Sequence, residues 1–184
     1  MYKRQEERWR NLIAEVRSRY GGTLFWDLPF HQLDTTPAFL DAIDAVYLTW
    51  SATLAPAADT SIQSMAAEAA WMLDAGVLPV YYRYRKLVVL AVAYPSAAGA
   101  AAGCIPASDG ACLPLEHFRA PNAQIGGFAP DFEEQSRLYQ AVLRAIETRD
   151  WINGFVARGY YPPVALQDPS ISIHGKPVED VLRN

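Results

Sequence analysis

Three observations predict an α/β fold built from parallel strands. Four short runs rich in β-branched and aromatic residues, Thr23–Trp26, Ala45–Trp50, Leu87–Ala93 and Gly154–Tyr160, alternate with segments of helical spacing. A helix between consecutive strands makes each connection a crossover, which parallel pairing requires. The loops that follow the strands are the irregular ones: Lys86–Ser96 empties into a Gly/Ala-rich loop, and the last strand ends in Tyr160-Tyr161-Pro162-Pro163. Strand, loop and helix in repetition is the grammar of a (β/α) barrel, whose chemistry sits where strands end.

Taken in order, Trp9, Leu12, Ile13, Val16 and Tyr20 share one face of a first helix, which Gly21-Gly22 stops. The strand Thr23–Trp26 follows, with Asp27 at its end. A turn-rich stretch, Pro29–Pro37, leads through a brief helix over about Ala38–Ile43 to the strand Ala45–Trp50. Ile62, Met65, Ala66, Ala69 and Leu73 mark the next amphipathic helix, and Val77–Tyr84 carries the chain to Leu87–Ala93. The loop Tyr94–Pro130 is longer than compact domains usually tolerate without a function. Asp131 then caps a helix, with Glu134 placed for a capping box and Phe132, Tyr139, Leu143 and Ile146 on its buried side. After the last strand, Gly175-Lys176-Pro177 opens another helix.

No repeat, low-complexity tract or linker divides residues 1–184, so the chain reads as one folding unit. A complete barrel needs eight strands and roughly 250 residues. Four strands in 184 residues therefore predict the C-terminal half of a TIM (β/α)8 barrel, strands 5–8 with their helices, truncated at both ends. The expected partner is the missing N-terminal half, since a free four-stranded sheet would leave both edges unpaired.

Composition narrows the function. The chain is 51% hydrophobic and 20% charged, ordinary for a globular domain. A net charge of −4 offers no basic field for nucleic acid, and no apolar run reaches the length of a membrane span. The N-terminal residues are too polar for a signal peptide. Cys104 and Cys112, eight apart in a Pro/Gly/Asp-rich loop, read either as a disulfide or as two unrelated thiols. A bridge implies a secreted or cell-surface protein whose signal lies upstream. His31, His117 and His174 have no metal-ligand spacing, so no cofactor is expected.

Residues 8–27 resemble the helix and fifth strand of glycoside hydrolase family 113 and related clan-A barrels. Phe39–Leu48 is similar to that family's approach to strand six. Lys86–Ser96 with Gly99-Ala100-Ala101 is similar to its strand seven. Ser172–Pro177 with Val181-Leu182-Arg183 is similar to its closing helix. The resemblance implies a glycoside hydrolase-like barrel with a carbohydrate ligand. Retaining members of such clans need two carboxylates about 5–5.5 Å apart, an acid/base and a nucleophile. The resemblance places the acid/base upstream of residue 1. Aligned on Tyr94-Pro95-Ser96, the nucleophile's place falls at Ala91, which cannot attack an anomeric carbon.

Asp27 and Asp168 are the candidate carboxylates that could substitute; each also reads as a turn or cap aspartate. Glu116 and Asp109 belong to the cysteine loop and are expected to be solvated. Candidate sugar contacts are the residues near strand ends: Trp26, Trp50, Tyr94, Ser96, Arg158, Tyr160 and Tyr161. Aromatic rings stack on the C–H faces of sugars while a hydroxyl or indole N–H bonds at the rim. Arg158 offers a fork of donors. The readings left open are an active glycosidase-like barrel, a glycan-binding pseudoenzyme and a structural domain of an exported protein. The isolated chain is expected to be inactive.

Overall fold

The computed structural model describes residues 2–56, 60–121, 128, 130–162, 164 and 167–183. A first helix, α1 (Tyr2–Arg19), leads to β1 (Phe25–Pro29) and then through 3-10 turns at Phe30–Thr35 and Ala38–Ala42 to β2 (Ala45–Trp50). Next come α2 (Ile62–Met72), capped by Ser61, whose hydroxyl accepts from the Ser64 N–H at 3.1 Å, and α3 (Leu78–Tyr84), joined through a π-helical turn at Leu73–Val77. The chain continues through β3 (Leu87–Val92) and a small antiparallel pair, β4 (Ile105–Pro106) and β5 (Cys112–Leu113). It ends with α4 (Phe132–Ile146), β6 (Gly154–Ala157) and α5 (Val178–Arg183). None of the described helices is long and apolar enough to cross a membrane.

Four strands form one parallel sheet in the order β1-β2-β3-β6. Three of the four expected strands shift at their ends; the third stops at Val92, one residue before Ala93. The first strand begins two residues late and runs on to Pro29, placing Asp27 at its centre; Pro29, which lacks an N–H, ends it on a sheet edge. The last strand stops at Ala157 rather than Tyr160, because Gly159 turns the chain at φ +92°, where an added Cβ would lie 2.7 Å from the Ile171 carbonyl oxygen. The brief helix after Pro37 is a 3-10 turn, Ala38–Ala42. Residues 122–127 and 129 of the long loop lie outside the described residues.

Successive side chains of a strand point to opposite faces. One face, with Leu28, Val46, Leu48, Trp50, Val88, Leu90 and Val92, is buried together with Met65, Ala69 and Leu73 from the second crossover and Leu138, Tyr139 and Val142 from α4. The opposite face carries Phe25, Asp27, Tyr47, Thr49, Leu87, Val89, Ala91 and Val156. Among the described residues no helix lies over it; Phe25, Leu87 and Val156 are 50%, 52% and 37% exposed there, while the small Ala45 and Ala91 on the same face are buried.

The loop after β3 is held from below. The Glu134 carboxylate accepts the N–H groups of Gly99 (3.0 Å) and Ala101 (2.7 Å). Only half of the expected capping box therefore forms: Asp131 accepts from the Glu134 N–H at 2.8 Å, while the Glu134 side chain serves the loop. Burial raises the Glu134 pKa, opposed by those two N–H groups. The Cys104–Cys112 disulfide is present, with Cα atoms 5.3 Å apart, and clamps β4 beside β5.

Candidate carbohydrate site

Pairing in register puts residues of matching parity side by side on the uncovered face. Thr49 lies beside Ala91, and Ala91 beside Val156. Thr49 and charged residues from two other strands form a polar chain across the sheet. The Thr49 hydroxyl donates to Asp27 Oδ1 at 2.6 Å and accepts from Arg158 at 3.1 Å. The Arg158 guanidinium also sits 6.0 Å from the Tyr47 ring centroid. One threonine hydroxyl thus links a carboxylate from β1 to the cation just past β6. The residues come from three separate crossovers, which only parallel strands with a common mouth could gather.

This chain borders a cavity of ≈ 700 Å³ at the strand C-termini, lined by Asp27, His31, Thr49, Glu116, Arg119 and Arg158 among others. Glu116 was expected to be solvated; it is exposed, yet it faces this cavity. Its 3-10 turn, Leu115–Phe118, is anchored by buried Leu115 and Phe118 on either side, and the Phe118 carbonyl accepts from the Ile171 N–H at 2.9 Å. No short-range sequence pattern marks Glu116. Its place depends on how a long loop folds back over the sheet. Thr49 was missed as well, although its parity with Asp27 in paired strands was available.

Several expected contacts lie elsewhere. Trp50 belongs to the opposite parity and is fully buried; its indole N–H donates to the Tyr94 hydroxyl at 3.0 Å, which donates to the Ala52 carbonyl at 2.6 Å. Tyr94 is equally buried, and desolvation raises its pKa. Neither ring presents a face to a ligand, because the helix layer needs bulk under the end of the sheet. Trp26, also of helix-facing parity, packs edge-on against Phe39 (4.6 Å) and Trp9 (5.0 Å), away from Asp27.

Ser96 is sealed too. It accepts from the Lys176 ammonium at 2.8 Å and donates to the Asp168 carbonyl at 3.1 Å. The Asp168 carboxylate, a candidate substitute for the nucleophile, accepts from the Ser170 hydroxyl and lies 3.9 Å from Lys176 Nζ. It balances a buried cation and does not line the strand-mouth cavity. Burial lowers the Lys176 pKa to about 8, opposed by Asp168. Tyr160 and Tyr161 are exposed past the end of β6, but Tyr160 stacks on His174 at 4.3 Å and Tyr161 donates to the Arg119 carbonyl at 3.0 Å. Of the predicted residues, the structure therefore brings Asp27 and Arg158 together and leaves the rest outside the cavity lining.

Comparison with known proteins supplies the family and the fold. The model of Glycoside Hydrolase Family 113 matches residues 1–164. A GH113 β-1,4-mannanase solved as a complex superimposes with a TM-score of 0.69 at 26% identity, over 98% of this chain and 50% of its own. A second GH113 β-1,4-mannanase structure gives 0.67 at 25% identity, over 100% and 51%. The β-mannanase AaManA from Alicyclobacillus acidocaldarius, solved with ManMIm, gives 0.65 at 24% identity, over 97% and 49%, and shares the fold. The chain thus spans about half the length of the solved mannanases it matches. No curated protein matches it.

Proposed function

Because the chain belongs to glycoside hydrolase family 113, we propose that it holds a β-1,4-linked mannan-type glycan at the mouth of its parallel sheet and does not cut it. One observation carries this reading. At the uncovered-face position where the family resemblance asks for a nucleophilic glutamate stands Ala91, while Asp27, Thr49 and Arg158 remain bonded across the strand ends beside it. Hydroxyl, carboxylate and guanidinium suit sugar hydroxyls; a methyl group supplies no nucleophile. The four strands correspond in this reading to the later half of an eight-stranded barrel. The exposed Phe25, Leu87 and Val156 support a covering polypeptide that carries the preceding strands. The disulfide supports an exported protein.

A second reading has one observation in its favour: Asp27 and Glu116 border the same cavity, so two carboxylates are available without Ala91. Two measurements separate the readings. In affinity-gel electrophoresis with soluble β-mannan, the protein is expected to be retarded and Arg158→Ala to run free. Retardation untouched by Arg158→Ala, or none in the parent protein, would overturn the binding site. Aryl β-mannoside and β-mannan are expected to yield no product. Turnover that Glu116→Gln removes would establish the second reading instead.

A further inference from the structure

Between Asp74 and Asp109 the chain has no acidic residue, and inside that stretch Tyr81-Tyr82-Arg83-Tyr84-Arg85-Lys86 runs from the end of α3 to the start of β3. Parallel strands share one N-terminal pole, so this run stands at the end of the sheet remote from Asp27, Thr49 and Arg158. Val80, Tyr81 and Tyr84 of α3 face Val46, Leu48 and Val88 across a small gap, and β2 and β3 are the interior strands of the sheet. A polypeptide that completed the sheet at β1 or β6 would therefore leave this run uncovered. The Tyr84 hydroxyl donates to the Pro37 carbonyl at 3.2 Å and the Lys86 ammonium to the Asp41 carbonyl at 2.7 Å, which ties the run to the turn before β2. The Asp41 carboxylate itself is already held by Arg10 at 2.8 and 3.2 Å.

Arginine and tyrosine alternate here and stack. Arg83 lies over the Tyr84 ring at 5.0 Å, and Arg85 over Tyr82 at 4.8 Å and Tyr81 at 5.6 Å. A ring takes the flat face of a guanidinium and leaves its N–H groups directed outward in the plane. Among the described residues neither guanidinium has a carboxylate or carbonyl partner. Both arginines are exposed, as is Tyr82. Arg85 also ends the helix, at φ 52°, and is the one non-glycine of positive φ among the described residues; its N–H closes on the Tyr81 carbonyl at 2.7 Å. Glycine fills such a position without steric cost, and an arginine serving the helix end would turn to its last carbonyls. Arg85 instead folds over the rings, so a strained backbone keeps a cation on the surface. Planar cations with free donors match phosphate oxygens, and tyrosine rings with polar tips suit the headgroup layer of a bilayer. A soluble acidic polymer would use the arginines and leave Tyr82 in water; a bilayer uses both. We infer that Tyr81–Lys86 docks the protein on an anionic phospholipid surface, with the strand mouth turned away from it. Nothing in this depends on the glycan reading.

Vesicle sedimentation with the full chain tests it, comparing mixed phosphatidylglycerol and phosphatidylcholine vesicles with pure phosphatidylcholine at low salt. The protein is expected to sediment with the anionic vesicles and to stay in solution with the neutral ones. Arg83→Gln and Arg85→Gly should each weaken partitioning roughly fivefold, and together roughly 25-fold. Tyr82→Ser, which leaves both cations in place, should weaken it as well. Arg85→Gly relieves the left-handed backbone, so urea unfolding should show stability equal to or above the parent while vesicle binding falls. If that variant unfolds more easily, Arg83→Gln decides: its binding must fall in a protein of parent stability. Vesicle binding that neither arginine variant weakens would assign both residues to the fold and overturn the docking surface. Equal binding to the two vesicle types, binding to neither, or retention on a soluble acidic polysaccharide with the vesicles left unbound would overturn it too.

Discussion

The two faces of the parallel sheet are made by the same four strands and obey opposite rules. On the covered face, Val46, Leu48 and Trp50 of β2 are sealed to within 3% of full burial and every polar atom named there has a fixed partner. On the uncovered face, Tyr47 and Thr49 of the same strand remain reachable, and Thr49 shares one hydroxyl between Asp27 and Arg158. Thr49 and Trp50 are neighbours in the chain, yet one serves the candidate site and the other the core. Parity, more than nearness to the strand end, decides which residue can meet a ligand.

The largest expected effect tests the covered face. Trp50→Ala removes a fully buried indole, its contact with Phe30 at 4.5 Å and the partner of the Tyr94 hydroxyl. Burial of this kind puts the loss at about 3–5 kcal/mol. Urea unfolding should show the free energy of unfolding fall by that amount. Loss of glycan binding in this variant would then follow from unfolding; full stability with binding lost would break the assignment of Trp50 to the core.

How much of this was legible in the sequence follows the same division. The parallel crossovers were legible because helix spacing and apolar runs are local signals: the strand Ala45–Trp50 was placed to the residue, and the helix after Asp131 by its cap. Asp27 and Arg158 were found because charged residues near strand ends stand out. Trp50 and Tyr94 were misplaced because an aromatic ring serves a core and a sugar equally well, and position at a strand end does not tell the faces apart. The parity signal was present in β2, where Val46, Leu48 and Trp50 form the bulky apolar set and Ala45, Tyr47 and Thr49 the mixed one. Glu116 and the Lys176–Ser96–Asp168 cluster depend on loops closing across long sequence separations, which no local pattern encodes.

A smaller effect sharpens the contrast through a buried cation, Lys176, held among the loops beyond the strand ends. Lys176 has no exposed side-chain surface; around it are the Ser96 hydroxyl, the carbonyls of Asp168 and Ser170, the Asp168 carboxylate and the Phe132 ring. Its folded pKa, lowered to about 8, lies below the ordinary value of 10.5. Between those limits the unfolded chain keeps the proton that the folded chain releases, so stability should rise with pH across that window. Below about pH 8 the cost of burying the charge is present in full. Each pH unit inside the window is worth at most about 1.4 kcal/mol. Subtracting the stability profile of Lys176→Met from that of the parent isolates this residue; parallel profiles from pH 8 to 10.5 would show that the ammonium is better solvated than its surroundings suggest.

The smallest change in stability is expected where the change in binding is clearest. Thr49→Val keeps the shape and the β-branch that suit a strand and removes only the hydroxyl that joins Asp27 to Arg158. Thr49 is partly exposed and Asp27 exposed, so water can replace the lost hydrogen bonds and the folding free energy should move by less than about 0.5 kcal/mol. The guanidinium loses its anchor and regains its rotamers, so mannan retardation should weaken by several-fold, less than in Arg158→Ala. A large loss of stability would mean that the polar chain holds the sheet together and that the uncovered face is structural like the covered one. Unchanged stability with weakened retardation is the result that a ligand-facing surface requires: there the strand scaffold carries the fold, and the hydroxyl serves to aim the cation.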